Sequence, residues 1–244
     1  MKIDFKEWHR NTICKWIPGY GSLALVICFS VNGLVYWGTQ LIMGHKKHYD
    51  FTSAIDNRIP FVKEWVGIYL ICYVFWIFNY ILVTREGKEK LYRFVFADVL
   101  SRIVCGIIFI ILPTTNVRPI VPGTDLFSSL MRYVYAVDPA TNLFPSIHCL
   151  VSWFCFIGIR NSERVSFWYK AFSCIFSILV FASTQFTKQH YLIDVAGAVI
   201  IAELCYFIAC HTNIYISVEK IIAWAGRRIF GEINYDEKAE VNCK

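Results

Sequence analysis

The chain has 244 residues, 57% of them hydrophobic and only 17% charged, with a formal net charge of +6. Soluble globular chains carry about 25% charged residues, so an ordinary water-soluble domain is excluded. The positive balance is modest and calls for no nucleic acid. Ten cysteines fall mostly inside apolar runs, where Cys acts as a small hydrophobe. With no Cys-x-x-Cys and no zinc-like His/Cys spacing, a disulfide scaffold or structural metal is not expected.

In chain order, residues 1–19 alternate basic and aromatic positions and read either as a short helix in the membrane interface or as a frayed tail. Apolar spans are expected at about 20–43, 65–84, 97–112, 146–159, 171–186 and 191–210, the first of them too long for a cleaved leader. A polar loop covers 44–61, a charged turn 85–90, a long polar connection 113–144 and a basic turn 160–170. Asp98 and Arg102, four apart near the start of the third span, suit a structural ion pair. Glu203, well inside the sixth span, reads as a pairing residue. A basic apolar stripe over 214–230 suits a second interfacial helix, and 231–244 reads as a disordered polar tail.

The expected fold class is therefore all-α: a polytopic membrane protein of about six transmembrane helices in one bundle, a single domain over 1–230. No internal repeat supports a transporter of inverted halves. One side of this frame carries more than twice as many Lys and Arg as the other. The positive-inside rule then makes both termini cytoplasmic. Under that topology Arg118, His148, His190 and Asp194 all fall on the non-cytoplasmic face.

Each of these residues has a bland explanation: an interfacial histidine, an Asp favoured by a helix dipole, a loop cation. Together they complement one another for phosphoryl transfer. His190 and Asp194 share one helix face, so the carboxylate can fix the imidazole tautomer and free the other nitrogen as a nucleophile. His148 suits a general acid, Arg118 offers a planar fork to phosphate oxygens, and Ser146 with nearby amides can add donors. No carboxylate cluster is present to hold a divalent metal, and no cofactor is expected.

These residues also carry a resemblance. The run Phe144-Pro145-Ser146-Ile147-His148 resembles the Pro-Ser-Gly-His motif of the type 2 phosphatidic acid phosphatase superfamily. Residues Ser183 to Asp194 resemble that family's third motif: Ser-Arg, five residues, His, three residues, Asp. Arg118-Pro119 resembles the end of its first, Lys, six residues, Arg-Pro. The resemblance implies a phosphohistidine on His190, leaving-group protonation by His148, orientation of His190 by Asp194, and phosphate binding by Arg118, Ser146 and Ser183. Three motif positions depart: Ile111 stands for Lys, Ile147 for Gly and Thr184 for Arg. Lys188, or less directly Arg132, can supply a missing cation. The reduced pattern is similar to the branch of inositol phosphorylceramide and sphingomyelin synthases.

The expected activity is a metal-independent lipid-phosphate phosphatase of the cell membrane, acting at the non-cytoplasmic face on a membrane lipid phosphate or diphosphate. A lipid headgroup phosphotransferase is the alternative, and a non-catalytic lipid-binding or transport protein the second alternative.

Overall fold

The computed structural model describes residues 5–230, and the tail reading for 231–244 lies outside them. The apolar runs form helices because only a helix satisfies its own backbone polar groups in lipid without a partner strand. Helix α1 (Phe5–Thr12) precedes α2 (Gly19–Met43) and is tied to it by His9 Nε2 and Ser22 Oγ at 3.0 Å. Helices α3 (Ala54–Arg58), α4 (Val66–Thr84) and α5 (Lys88–Ile111) follow, then α6 (Leu126–Val137), α7 (Ile147–Arg160), α8 (Phe167–Phe186), α9 (Leu192–His211) and α10 (Tyr215–Phe230). Two short parallel strands, β1 (Tyr49–Asp50) and β2 (Thr114–Thr115), pair Tyr49 with Thr114 and Asp50 with Thr115.

Among the described residues five helices are long and apolar enough to cross a membrane: α2, α4, α5, α8 and α9. The sixth apolar helix, α7, has 14 residues, about 21 Å at 1.5 Å per residue, against a hydrocarbon core of about 30 Å. Its shortness follows from its place. It is the bundle's central helix, packed on α4, α8 and α9, with Cys149, Leu150, Phe154, Cys155 and Ile159 fully buried.

Three expectations change. The third span begins near residue 88 rather than 97, because the turn is only 85–87, where Gly87 takes φ +100 and Glu89 pairs with Arg93 within the first turns of α5. The connection 113–144 is not simply a loop. It contains α6, capped by Asp125 accepting from the Ser128 amide, with Met131 and Val134 packed on Val66 and Tyr69 of α4. The loop 44–61 contains α3, whose capping box joins Ser53 and Asp56.

Asp98 and Arg102 lie inside the lengthened α5, both buried, at 2.8 Å, and Tyr80 donates its hydroxyl to the same carboxylate at 2.7 Å. Glu203 accepts from Arg160 at 2.6 and 2.9 Å and from the Trp153 indole at 2.9 Å. At the far end of the bundle from α3 and α6, Arg93 donates to the carbonyls of Ala209, Cys210 and Thr212 that end α9.

Candidate active site

The N-termini of α7 and α9, the C-terminus of α8 and the loop after α5 meet at one end of the bundle. His190 sits in the tight α8–α9 turn. Asp194, in the first turn of α9, accepts the Tyr191 amide at 2.9 Å and so caps its own helix. The same Oδ2 lies 3.1 Å from His190 Nδ1, which also faces the Leu143 carbonyl at 3.0 Å. Both partners accept, so Nδ1 carries the proton, and in the neutral ring Nε2 has the lone pair. Tyr191 anchors the turn by donating to Asp50 at 2.7 Å, and its hydroxyl also meets the Thr115 carbonyl.

His148 lies in the first turn of α7, its ring centroid 6.1 Å from that of His190. The two helix starts are joined directly: the Ser146 amide donates to the Asp194 carbonyl at 3.2 Å. Close approach requires Gly197, where a Cβ would come within 2.6 Å of the Phe144 ring. His148 stacks on Tyr69 at 4.3 Å, with the Tyr69 hydroxyl 3.4 Å from Nδ1 and the Tyr73 hydroxyl 3.1 Å from Nε2.

Arg118 arrives on the loop held by the β1–β2 pair. One guanidinium nitrogen donates to the Asp138 backbone carbonyl and another to Gln189 Oε1, while Cζ lies 4.8 Å from the Tyr135 ring centroid. Burial pushes the Tyr135 phenol up to about 12. The Arg118 Nε and Gln189 Nε2 donors are buried without a partner.

Two cavities meet at Arg118 and His190, which line both. The inner one, at about 10 Å³, has room for about one water and reaches Asp138, Asn142 and His148. The outer one, about 410 Å³, is walled by Asp56, Asn116, Gln185 and Lys188 and falls in the size range of small-molecule sites.

The remaining sequence candidates are each engaged by other partners. Ser146 is the buried N-cap of α7, accepting the Cys149 amide. Ser183 is buried in α8 and donates to the Val180 carbonyl at 2.7 Å. Neither lines either cavity. Lys188 lines the outer cavity, but its ammonium donates to the carbonyls of Asp56 and Ile59 at 2.8 and 2.5 Å, where α3 ends. Burial pushes its pKa below the ordinary value, with Asp56 opposing. Burial also acts to raise the Asp56 carboxyl, but hydrogen bonds from Ser53 and the Leu192 amide outweigh it and leave it below the usual range. Arg132 donates to the Val121 and Gly123 carbonyls.

Sequence reasoning passed over Asp138, Gln189, Tyr36, Tyr69 and Tyr73. The signals present were weak: a carboxylate in a polar run ten residues before His148, and two tyrosines four apart on α4.

Among the described residues no three His, Cys, Asp or Glu side chains converge as a metal site requires. The arrangement combines a freed imidazole nitrogen, a second imidazole and a guanidinium around one space. That set can attack phosphorus, protonate an oxygen and hold phosphoryl oxygens. No curated protein and no solved structure matches the chain. The family model described as the PAP2 superfamily matches residues 32–208, a stretch that runs from α2 through α9 and contains all of these groups. The chain therefore belongs to the PAP2 superfamily, the type 2 phosphatidic acid phosphatases, and is a lipid enzyme of phosphatase or phosphotransferase type.

Proposed function

We propose that the protein is a membrane lipid-phosphate phosphatase that works through a phosphohistidine on His190. The observation that carries this reading is the pair of acceptors on His190 Nδ1, Asp194 at 3.1 Å and Leu143 at 3.0 Å. They put the proton of the neutral ring on Nδ1, which makes Nε2 the attacking nitrogen, and stabilise the positive charge the ring gains as it attacks.

In the first step Nε2 of His190 bonds to phosphorus and the P–O bond to the lipid breaks. That electron pair goes to the lipid oxygen, which takes a proton from His148. In the second, water bonds to phosphorus as His148 takes its proton, the P–N bond breaks with its electron pair returning to His190 Nε2, and phosphate leaves. Arg118 exchanges its Gln189 contact for phosphoryl oxygens and gains a use for the unpaired Nε. Lys188 acts on phosphate indirectly, by holding α3 against the outer cavity. Ser146 and Ser183 support the frame on which the two histidines are carried. The excess of Lys and Arg at the opposite end of the bundle supports cytoplasmic termini and a non-cytoplasmic site, and the chemistry needs no metal.

The outer cavity favours a second reading. Its polar walls at Asp56, Asn116 and Gln185 suit a polar headgroup alcohol as acceptor in place of water, which would make the enzyme a headgroup transferase.

The test is a panel of lipid phosphates and diphosphates offered to purified protein in detergent, with His190→Ala as control. Free phosphate from wild type alone supports the phosphatase, and a new phosphate ester of an added polar alcohol, without free phosphate, supports the transferase. Equal turnover by His190→Ala would sink both.

A further inference from the structure

His190 is not the only histidine of the site linked to a carboxylate. Asp138 caps the C-terminal end of α6, its amide bonded to the Val134 carbonyl. Its Oδ2 accepts the Tyr69 hydroxyl at 2.8 Å and its Oδ1 accepts the Tyr36 hydroxyl. Tyr69 also stands 3.4 Å from His148 Nδ1. We propose that Asp138 is a positioning residue for His148, acting through the Tyr69 hydroxyl to fix which imidazole nitrogen delivers the proton. The proposal rests on the reading of His148 as the proton donor in phosphate-ester cleavage.

A phenol has one proton. The Tyr69 proton is committed to Asp138, so its oxygen meets His148 only as an acceptor. His148 Nδ1 must then carry a proton, and Nε2 becomes the position that gains and loses the catalytic one. The Tyr69 ring stacks on the imidazole with 28° between planes, which holds the ring against rotation. At 3.4 Å the contact is long for an N–H···O bond, and formation of the imidazolium is what shortens it, because a charged donor makes the stronger bond.

The other groups around His148 do not replace this link. Tyr73 meets Nε2 at 3.1 Å, Trp76 contributes a ring face, and the His190 ring lies 6.1 Å away. Arg118 donates to the backbone carbonyl of Asp138, not to its carboxylate, and so leaves both carboxylate oxygens to the phenols.

During cleavage the lipid oxygen receives the proton from His148 Nε2 as its bond to phosphorus breaks and the bond from phosphorus to His190 forms. His148 ends neutral, its remaining proton still on Nδ1 and donated to Tyr69. No proton moves along Tyr69 or Asp138.

The experiment compares two leaving groups. An alkyl phosphate such as dodecyl phosphate needs its oxygen protonated, whereas p-nitrophenyl phosphate loses a stable phenolate without help. Asp138→Asn and Tyr69→Phe should each lower the single-turnover rate of phosphoenzyme formation from the alkyl ester about 10-fold or more, part of the roughly 100- to 10,000-fold supplied by a general acid. Both should leave the rate of phosphoenzyme formation from the aryl ester within about 3-fold, since that leaving group needs no proton. The double variant should be no slower than the slower single one. Tyr69→Phe keeps the carboxylate and the ring, so a folding failure of Asp138→Asn leaves the test intact.

His148→Ala provides the reference. If wild type cleaves neither ester, or His148→Ala slows phosphoenzyme formation from both equally, the reading of the site fails and this inference with it. If His148→Ala discriminates between the esters while Asp138→Asn and Tyr69→Phe do not, the Asp138 link alone is overturned.

Discussion

His190 and Asp194 lie four residues apart and meet at 3.1 Å through Nδ1 and Oδ2, although the histidine is in a turn and only the aspartate in a helix. The contact exists because Asp194 also caps α9 through the Tyr191 amide at 2.9 Å. One carboxylate thus ends the turn and orients the imidazole.

That double use has a kinetic consequence. His190→Ala should abolish the phosphoenzyme, seen as loss of acid-labile, alkali-stable radiolabel after a short exposure to labelled substrate. Asp194→Asn should still form it, because Leu143 continues to hold Nδ1–H, but at least about 100-fold more slowly. Undiminished labelling in His190→Ala would place the covalent bond elsewhere.

Lys188 offers a contrast between charge and geometry. Its φ is +53, a region in which glycine is at ease, while its ammonium ties down the end of α3. Hydrogen bonds to a charged group contribute about 1.5–3 kcal/mol each, so Lys188→Ala should lower the unfolding temperature measurably. Lys188→Gly should lose less, since it relieves the backbone. An unchanged unfolding temperature together with a raised KM would instead make Lys188 a direct phosphate ligand.

The pair Asp98–Arg102 is fully buried and lines neither cavity of the site, with Asp98 Oδ2 and two guanidinium nitrogens unpartnered. Asp98→Ala alone strands a buried charge and should cost about 3–5 kcal/mol. Adding Arg102→Met should recover much of that loss. Denaturant unfolding in detergent reads both, and a double variant less stable than Asp98→Ala would show the pair to be more than self-compensating.

Gly197 sets how near α9 can come to Phe144. A Cβ there would lie 2.6 and 2.9 Å from the Phe144 ring, so Gly197→Val overpacks the joint between the two helix starts, at a cost of about 1–3 kcal/mol. Lower kcat should accompany the lower stability, because Phe144 leads directly into Ser146 and His148. Full activity in Gly197→Val would mean the ring moves without carrying the helix start.

How much was legible in advance depends on the range of the interaction concerned. Membrane helices were legible because the bilayer demands long apolar runs whatever their neighbours are, and the structure changes mainly where they begin. Helix α6 was missed although Phe127, Leu130, Met131 and Val134 have helical spacing, because its run is only 12 residues long and is broken by Ser128, Ser129 and Arg132. The pairing of His190 with Asp194 was legible from their four-residue spacing, although the contact is made by the turn that Asp194 caps and not by a shared helix face.

Asp138 was not legible as a partner of His148. Its carboxylate reaches the imidazole only through Tyr69, and those three residues come from α6, α4 and α7, three elements whose docking no local spacing encodes. The same holds for Lys188. Its position beside the site follows from sequence, but the direction of its ammonium depends on where the last carbonyls of α3 come to rest. Local spacing and the demands of the bilayer were enough to determine the helical frame and the His190–Asp194 pair. Packing between distant segments decided which polar groups face each other across the site, because a hydrogen bond depends on distances of a few ångströms that only the folded chain sets.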